Sequence, residues 1–274
     1  MTRPILCIRC RVRALPVLRV KIFILVRRAQ ALDIQKFFND NNGVLICPLT
    51  EGAEPKYSHN ADKPFKSASV IKTFILAYYL ATGSDLDREI ELPKSMLIGT
   101  SIMTELKLTK ATVRELLIYM MGFSDNSATN ALFADASFEA LNSFCKNVLG
   151  TKNTVIGRKM LDYAAVERGE DNLTSLNDCL LAMRFIISHP VGRDIMRRHK
   201  SVERIIRYIY DPDMEYYGKS GSIPDVYNDI AVLRKGEGEY MFAGVLSYKD
   251  EPSRLKRLMG WTGLTAMGAE RPVV

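Results

Sequence analysis

The sequence contains few cysteines, few histidines and no run of 18 uncharged apolar residues. The absence of such a run argues against a membrane-spanning helix. The cysteines number five, and this odd count indicates no disulfide framework. Cys7 and Cys10 form a single C-x-x-C pair, and a zinc site needs two more ligands at suitable spacing. The sequence therefore predicts neither a metal site nor an organic cofactor.

Acidic residues are absent from residues 1–28, and this absence explains the net charge of the chain. The segment carries eight basic residues: Arg3, Arg9, Arg11, Arg13, Arg19, Lys21, Arg27 and Arg28. The whole chain has 38 basic and 31 acidic residues, so the remainder carries 30 basic and 31 acidic ones. The net charge of +7 therefore belongs to the leader, and a nearly neutral body gives no reason to expect a nucleic-acid partner.

Residues 1–30 are predicted to be a basic leader that is disordered or serves in targeting. Ala29-Gln30-Ala31 resembles a small-residue cleavage site, but charged residues interrupt the apolar stretch that a secretory signal needs. A basic arm could also contact an anionic membrane, and we expect membrane contact only through this leader. The compartment stays open, with secretion or membrane attachment favoured over the cytoplasm.

Residues 31–274 are predicted to form one catalytic domain. Hydrophobic periodicity predicts strands near each end and helices between them. The predicted strands are Val44–Pro48, Lys56–Ser58, Tyr217–Ile223, Asp229–Arg234 and Tyr240–Ser247. One predicted helix begins at Ser69, and a final one begins over Ser253–Met259. The others span Thr112–Met121, Ser127–Ala134, Phe138–Leu149, Thr174–Ser188 and Ser201–Tyr210. Because terminal strands can pair in one sheet, we expect an α/β (α+β) sandwich: an antiparallel sheet flanked by helices, with an inserted all-helical subdomain at about 66–205.

Three short motifs carry the candidate chemistry. Ser69 and Lys72 are three residues apart at a helix start, which places both side chains on one face. A desolvated lysine amine can activate a serine hydroxyl. Ser124-Asp125-Asn126 follows 55 residues after Ser69, and Lys219-Ser220-Gly221 follows 95 residues after Ser124. Each motif by itself is compatible with ordinary caps and turns.

Taken together and in this order, the motifs resemble those of class A β-lactamases and penicillin-binding proteins. The resemblance spans roughly residues 40–250 and implies a β-lactamase/transpeptidase-like fold with the active site between sheet and helices. It implies that Ser69 is the nucleophile, that Lys72 accepts its proton directly or through water, and that Ser124 passes a proton to the leaving nitrogen. Lys219 would supply positive potential near the substrate carboxylate.

The same resemblance implies a substrate-binding group of Asn126, Ser220, Gly221 and Ser222. Asn126 would hold Lys72 and the substrate amide. Ser220 stands where threonine is usual and keeps the hydroxyl for the substrate carboxylate. Gly221 would let the substrate lie against the strand, and the N–H groups of Ser69 and Ser222 would form the oxyanion hole.

A Ser-His-Asp triad is the rival arrangement. The three histidines are His59 in an early hairpin, His189 before a proline, and His199 in a basic run. Each is expected to be a surface or capping residue, so the sequence does not favour a triad.

The deacylating carboxylate is missing from its usual place. Class A β-lactamases share Arg-x-Glu-x-x-x-Asn in a loop, but Met160 stands two residues after Arg158. Asp162 and Glu167 are the candidate replacement bases, with loop anchoring or solvation as the alternative role for both. A general base must lie within hydrogen-bond reach of the proton that it removes.

The predicted function is β-lactam hydrolysis through an acyl-enzyme on Ser69, with penicillin binding as the alternative. If either carboxylate serves as base, we expect a serine β-lactamase that hydrolyses β-lactam antibiotics, with antibiotic resistance as its consequence. If neither does, we expect a penicillin-binding protein: a slowly deacylating D,D-peptidase or esterase, or a β-lactam-sensing module. The expected partner is a small β-lactam or a cell-wall peptide, and the expected state is a monomer. Glutaminases share the S-x-x-K nucleophile but resemble this chain less.

Overall fold

A computed structural model of the chain describes residues 33–199 and 201–269. The predicted leader over residues 1–30, with Cys7 and Cys10, lies outside the described residues. The division into a leader and a domain over 31–274 therefore stays a prediction. None of the helices in the described ranges is both long and apolar enough to span a bilayer.

One five-stranded antiparallel sheet organises the fold. Its strands are β1 (Asn42–Pro48), β2 (Tyr57–His59), β7 (Met214–Ile223), β8 (Val226–Lys235) and β9 (Met241–Ser247), in the order β2-β1-β9-β8-β7. Two small sheets pair β3 (Phe65–Lys66) with β6 (Leu173–Thr174) and β4 (Glu89–Glu91) with β5 (Lys110–Thr112). Terminal segments thus form the main sheet, as the sequence predicts.

The helices cover both faces of this sheet. They are α1 (Lys72–Ala81), α2 (Ile102–Glu105), α3 (Val113–Gly122), α4 (Asn126–Ala136), α5 (Phe138–Asn147), α6 (Tyr163–Glu167), α7 (Leu176–Ser188), α8 (Pro190–Met196) and α9 (Pro252–Ala266). Side chains alternate along a strand, so Leu45 and Cys47 of β1 join the core under α1 and α7. Val44 and Ile46 face the core under α9. The sheet is therefore buried on both faces.

Two expectations need correction. Residues 202–208 form successive turns instead of the predicted helix over Ser201–Tyr210. Ile205 and Ile209 are buried at helical spacing, but Ile205 donates its backbone N–H to the Asp229 carboxylate instead of continuing a helix. The inserted segment is also not all-helical, because it contains the β4–β5 pair.

Strand β7 lies at the edge of the main sheet, and this position creates the site. Its inner side pairs with β8 along its length. The short helix that precedes α1 lies against β7 at Gly221, and the α3–α4 connection lies against the same region through Lys219 and Ser124. The candidate site therefore lies between the sheet edge and the helical insertion.

Candidate active site

Ser69 lies in a short 3-10 helix, Ala68–Ile71, that leads directly into α1. The backbone N–H of Lys72 bonds to the carbonyl oxygen of Ser69, so the two residues are one turn apart. Ala68 has a φ of 47°, a left-handed conformation that costs a side-chain-bearing residue about 1 kcal/mol or more. The strained backbone at Ala68 directly precedes Ser69, which is half-buried.

Lys72 is fully buried and its side-chain nitrogen contacts the second motif. Its Nζ donates to the carbonyl oxygen of Ser124 at 2.7 Å, to Ser124 Oγ at 3.2 Å and to Asn126 Oδ1 at 2.9 Å. Burial lowers the pKa of Lys72 well below its usual value, the charge of Lys219 lowers it further, and Asp125 opposes both. Burial thus favours the neutral amine that can accept a proton.

The Ser124-Asp125-Asn126 segment lies where the connection from α3 enters α4. Ser124 has a φ of 55°, which turns its side chain between the two lysines. Asp125 caps α4 by accepting the Ala128 N–H at 2.9 Å, and its other oxygen accepts the Ser101 hydroxyl at 2.7 Å. The carboxylate of this motif therefore has a structural role, while Ser124 and Asn126 face Lys72.

Lys219 completes the group from the sheet edge. It is fully buried, and its Nζ donates to Ser124 Oγ at 3.0 Å and to the carbonyl oxygen of Ser220 at 2.7 Å. Burial lowers the pKa of Lys219 to about 7, although the Asp229 carboxylate opposes the shift. Ser124 Oγ is therefore hydrogen-bonded to both lysines, an arrangement suited to proton transfer through this hydroxyl.

Gly221 allows the closest approach between the sheet and the nucleophile. A Cβ at Gly221 would lie 2.7 Å from the backbone nitrogen of Ser69 and 3.0 Å from Ala68 Cβ. The backbone N–H of Ser220 points away from β8, and N–H directions alternate along a strand, so the N–H of Ser222 points the same way. The N–H of Ser222 therefore also points away from β8, and the preceding residue, Gly221, lies against Ser69.

His199 and Arg204 are residues that the sequence analysis did not assign to the site. His199 is 7% exposed, so the expectation of a surface or capping role is wrong, and its Nε2 contacts Ser220. Arg204 donates to Gly221 O at 3.2 Å and to Ser222 Oγ at 2.6 Å, and it stacks on the Tyr227 ring at 3.8 Å. Arg204 lies in the turn segment that was predicted as a helix, and His199 precedes that segment.

The loop over residues 158–171 is closed by Arg158 and Asp171, whose Nε and Oδ1 are 2.8 Å apart. Met160 is buried, and its backbone is fixed to Asn130 of α4 by bonds of 2.8 and 3.2 Å. An apolar side chain therefore occupies the place where the resembled loop carries its glutamate.

The two candidate bases do not join the lysine–serine group. Asp162 caps α6 by accepting the Ala165 N–H at 3.0 Å. Glu167 is exposed at the last position of α6. The charges that act on Lys72 come from Lys219 and Asp125.

The described residues also bear on metal binding. Within residues 33–199 and 201–269, no group of three or more His, Cys, Asp or Glu side chains is arranged to hold a metal ion.

Comparison with known proteins identifies the family. The model of the beta-lactamase enzyme family matches residues 25–263. The chain belongs to the β-lactamase enzyme family. No curated protein matches it by sequence.

Solved structures share its fold at low identity. A β-lactamase from Sphaerobacter thermophilus is 21% identical with a TM-score of 0.72, covering 86% of this chain and 95% of that one. A class A β-lactamase from Mycobacterium abscessus is 21% identical with a TM-score of 0.72, covering 86% and 97%. A PBP-A mutant, solved as an acyl-enzyme complex with penicillin G, is 20% identical with a TM-score of 0.71, covering 86% and 95%. The β-lactamase/transpeptidase-like fold is therefore established.

Proposed function

We propose that this family member is a serine acyl-transfer enzyme that opens β-lactams by forming an ester on Ser69 and then releases the acyl group slowly. One observation carries the proposal: buried Lys72, one turn after Ser69, is bonded to both Ser124 and Asn126. That arrangement provides a nucleophile and a base with a lowered pKa, together with a route for the proton.

Acylation proceeds by attack of Ser69 Oγ on the lactam carbonyl carbon. The hydroxyl proton passes to the neutral Lys72 amine, directly or through water, and the N–H groups of Ser69 and Ser222 stabilise the negative carbonyl oxygen. As the C–N bond breaks, Ser124 donates its proton to the leaving nitrogen. Protonated Lys72 then returns a proton to Ser124 Oγ, which lies 3.2 Å away. All protons are thereby accounted for without a cofactor.

Deacylation lacks an equally prepared base. The Asp162 carboxylate is used as a helix cap, Glu167 is exposed, and Met160 occupies the loop position of the usual glutamate. An ester on Ser69 would therefore meet water without a nearby carboxylate to activate it. This difference favours penicillin-binding behaviour, and membership of the β-lactamase family keeps rapid hydrolysis as the second candidate.

Relatives indicate the substrate class. The penicillin G acyl-enzyme of the PBP-A mutant shows what that protein binds on this fold. For this chain we propose β-lactams and the cell-wall peptides that they mimic as partners, with the protein acting as a monomer.

A burst experiment with a chromogenic cephalosporin separates the candidates. We expect one equivalent of product per protein and then slow turnover, with an adduct mass on Ser69 in the intact protein. The Ser69→Ala variant should form no adduct. Rapid multiple turnover without an adduct would instead establish efficient lactamase activity, and the absence of both product and adduct would refute acyl transfer.

A further inference from the structure

Beside the outer edge of β7, a buried imidazole contacts the residue proposed to bind the substrate carboxylate. His199 Nε2 lies 3.2 Å from the backbone nitrogen of Ser220 and 3.0 Å from its Oγ. Both contacts involve one residue of β7, and His199 is 93% removed from solvent, with a 7% exposed fraction. The mechanism proposed above does not use this imidazole.

The protonation state of His199 follows from its partners. The Ser220 N–H donates to Nε2, so Nε2 carries no proton and acts as an acceptor. A bond with the Met121 backbone engages the ring as well. Burial and the nearby charges of Lys219, Arg204 and Lys72 lower the pKa of His199 to about 3. The ring is therefore neutral at physiological pH.

Ser220 is a residue whose side-chain orientation such a contact can fix. A serine side chain has three staggered orientations, whereas threonine, the residue usual here in the resembled family, is restricted by its second Cβ substituent. The contact between His199 Nε2 and Ser220 Oγ favours one of these orientations. When a carboxylate arrives, the hydroxyl hydrogen can turn towards it, while Nε2 keeps the backbone N–H as its donor.

We infer that His199 is a positioning residue that orients the Ser220 hydroxyl and so determines how strongly the site binds a carboxylate-bearing substrate. The inference rests on the proposed function, because it assigns Ser220 to the carboxylate of the acylating ligand. His199 acts through Ser220 and does not take part in bond making at Ser69.

The test compares His199→Leu, which removes the acceptor, with His199→Gln, whose amide oxygen can occupy the Nε2 position. Acylation rates are measured against concentration for benzylpenicillin and for its methyl ester, which lacks the carboxylate charge. For His199→Leu we expect half-saturation by the free acid at about threefold higher concentration, because Ser220 then samples three staggered orientations instead of the favoured one. The maximal acylation rate with the free acid should change little, and so should both the half-saturation and the maximal rate with the ester.

Rescue provides the second criterion. His199→Gln should behave nearly as the wild type, and Ser220→Thr added to His199→Leu should recover free-acid binding through the stiffer side chain. Circular dichroism melting checks that each variant folds. If His199→Leu does not fold, His199→Asn, which is too short to reach Ser220, replaces it.

The outcomes separate this inference from the proposed function. Equal losses for acid and ester, unchanged half-saturation in every variant, or no rescue by His199→Gln would overturn the positioning role while Ser69 labelling of the wild type persists. If the wild type forms no adduct with either compound, the proposed function fails, and the inference fails with it.

Discussion

The two sides of the candidate site use their ionisable groups in opposite ways. On one side, the acylation cluster of Ser69, Lys72, Ser124, Asn126 and Lys219 buries two lysines among converging hydrogen bonds. On the other, the loop over residues 158–171 buries Met160, caps a helix with Asp162 and exposes Glu167. Buried ionisable groups with shifted pKa values are typical of catalytic sites, whereas capping and solvated groups are typical of structure.

This difference teaches that the fold prepares the proposed acylation step and the proposed deacylation step unequally. The lysine cluster is anchored by α1, α4 and β7, so its geometry is part of the core. The loop is anchored at its neck by Arg158 and Asp171 and at Met160 by Asn130. The loop can therefore be well ordered without presenting a base.

The largest expected effect comes from removing the amine of the acylation cluster. Lys72→Ala should lower the rate of Ser69 acylation by about 10³-fold, because a general base contributes about 10²–10⁴-fold. Stopped-flow acylation with a chromogenic cephalosporin measures it. Lys146→Ala, at an exposed position on α5, is the matched control and should acylate normally. A change below tenfold for Lys72→Ala would argue against its role as base.

A smaller loss is expected from Gly221→Ala. The new Cβ would lie 2.7 Å from the Ser69 nitrogen, so the nucleophile and the strand must separate. Misplacement by about 1 Å can reduce a rate about 10²-fold, and we expect a loss of that order in acylation. Gly99→Ala is the control because a Cβ there meets nothing within 4 Å. Normal acylation by Gly221→Ala would show that close contact is unnecessary.

On the loop side, Met160→Glu should increase activity. A carboxylate placed there could activate water, and we expect deacylation to accelerate about tenfold, below the usual range for an optimised base. Decay of the Ser69 adduct, followed by mass spectrometry, measures the rate. Met160→Gln has a similar size without the charge and should leave the adduct long-lived. Equal adduct lifetimes for both variants would contradict the assignment of this position.

The buried His199, which lies on the acylation side of the site, should make the free energy of unfolding depend on pH. His199 has a pKa of about 3 in the folded protein because it is buried, and about 6.5 when unfolded. Between these values the unfolded chain binds a proton that the folded one does not, so the free energy of unfolding falls as the pH falls. Relative to His199→Gln, the free energy of unfolding of the wild type should fall by up to about 1.4 kcal/mol for each unit by which the pH is lowered. Urea denaturation from pH 6.5 to 4.5 tests this, and parallel curves would contradict it.

The smallest effect is expected at the exposed carboxylate. Glu167→Gln should leave the deacylation rate unchanged, because this side chain lies at the solvent-facing end of α6. Asp162→Asn is the companion variant, since asparagine can still cap α6. Adduct decay measured as for Met160 provides the test. A severalfold longer adduct lifetime for either variant would identify that residue as a base and would support lactamase turnover.

Much of the local structure could be predicted from periodic patterns. The predicted helix over Thr112–Met121 is confirmed as α3, and the strands predicted at Val44–Pro48 and Tyr240–Ser247 are confirmed as β1 and β9. The predicted helix over Ser201–Tyr210 is wrong because the Asp229 side chain, distant in sequence, competes for the Ile205 backbone. The periodic pattern of apolar residues gives no sign of such a bond to a residue distant in sequence.

By itself, the sequence determined the order and residue types of the three motifs and the antiparallel sheet built from both ends of the chain. These features depend on local spacing and on short apolar runs, both of which can be read from consecutive residues. The tertiary structure alone decided that Lys72 and Lys219 share Ser124, that Asp162 is used as a cap, and that His199 contacts Ser220. Those outcomes depend on burial and on contacts between distant segments, which set both pKa values and side-chain orientation.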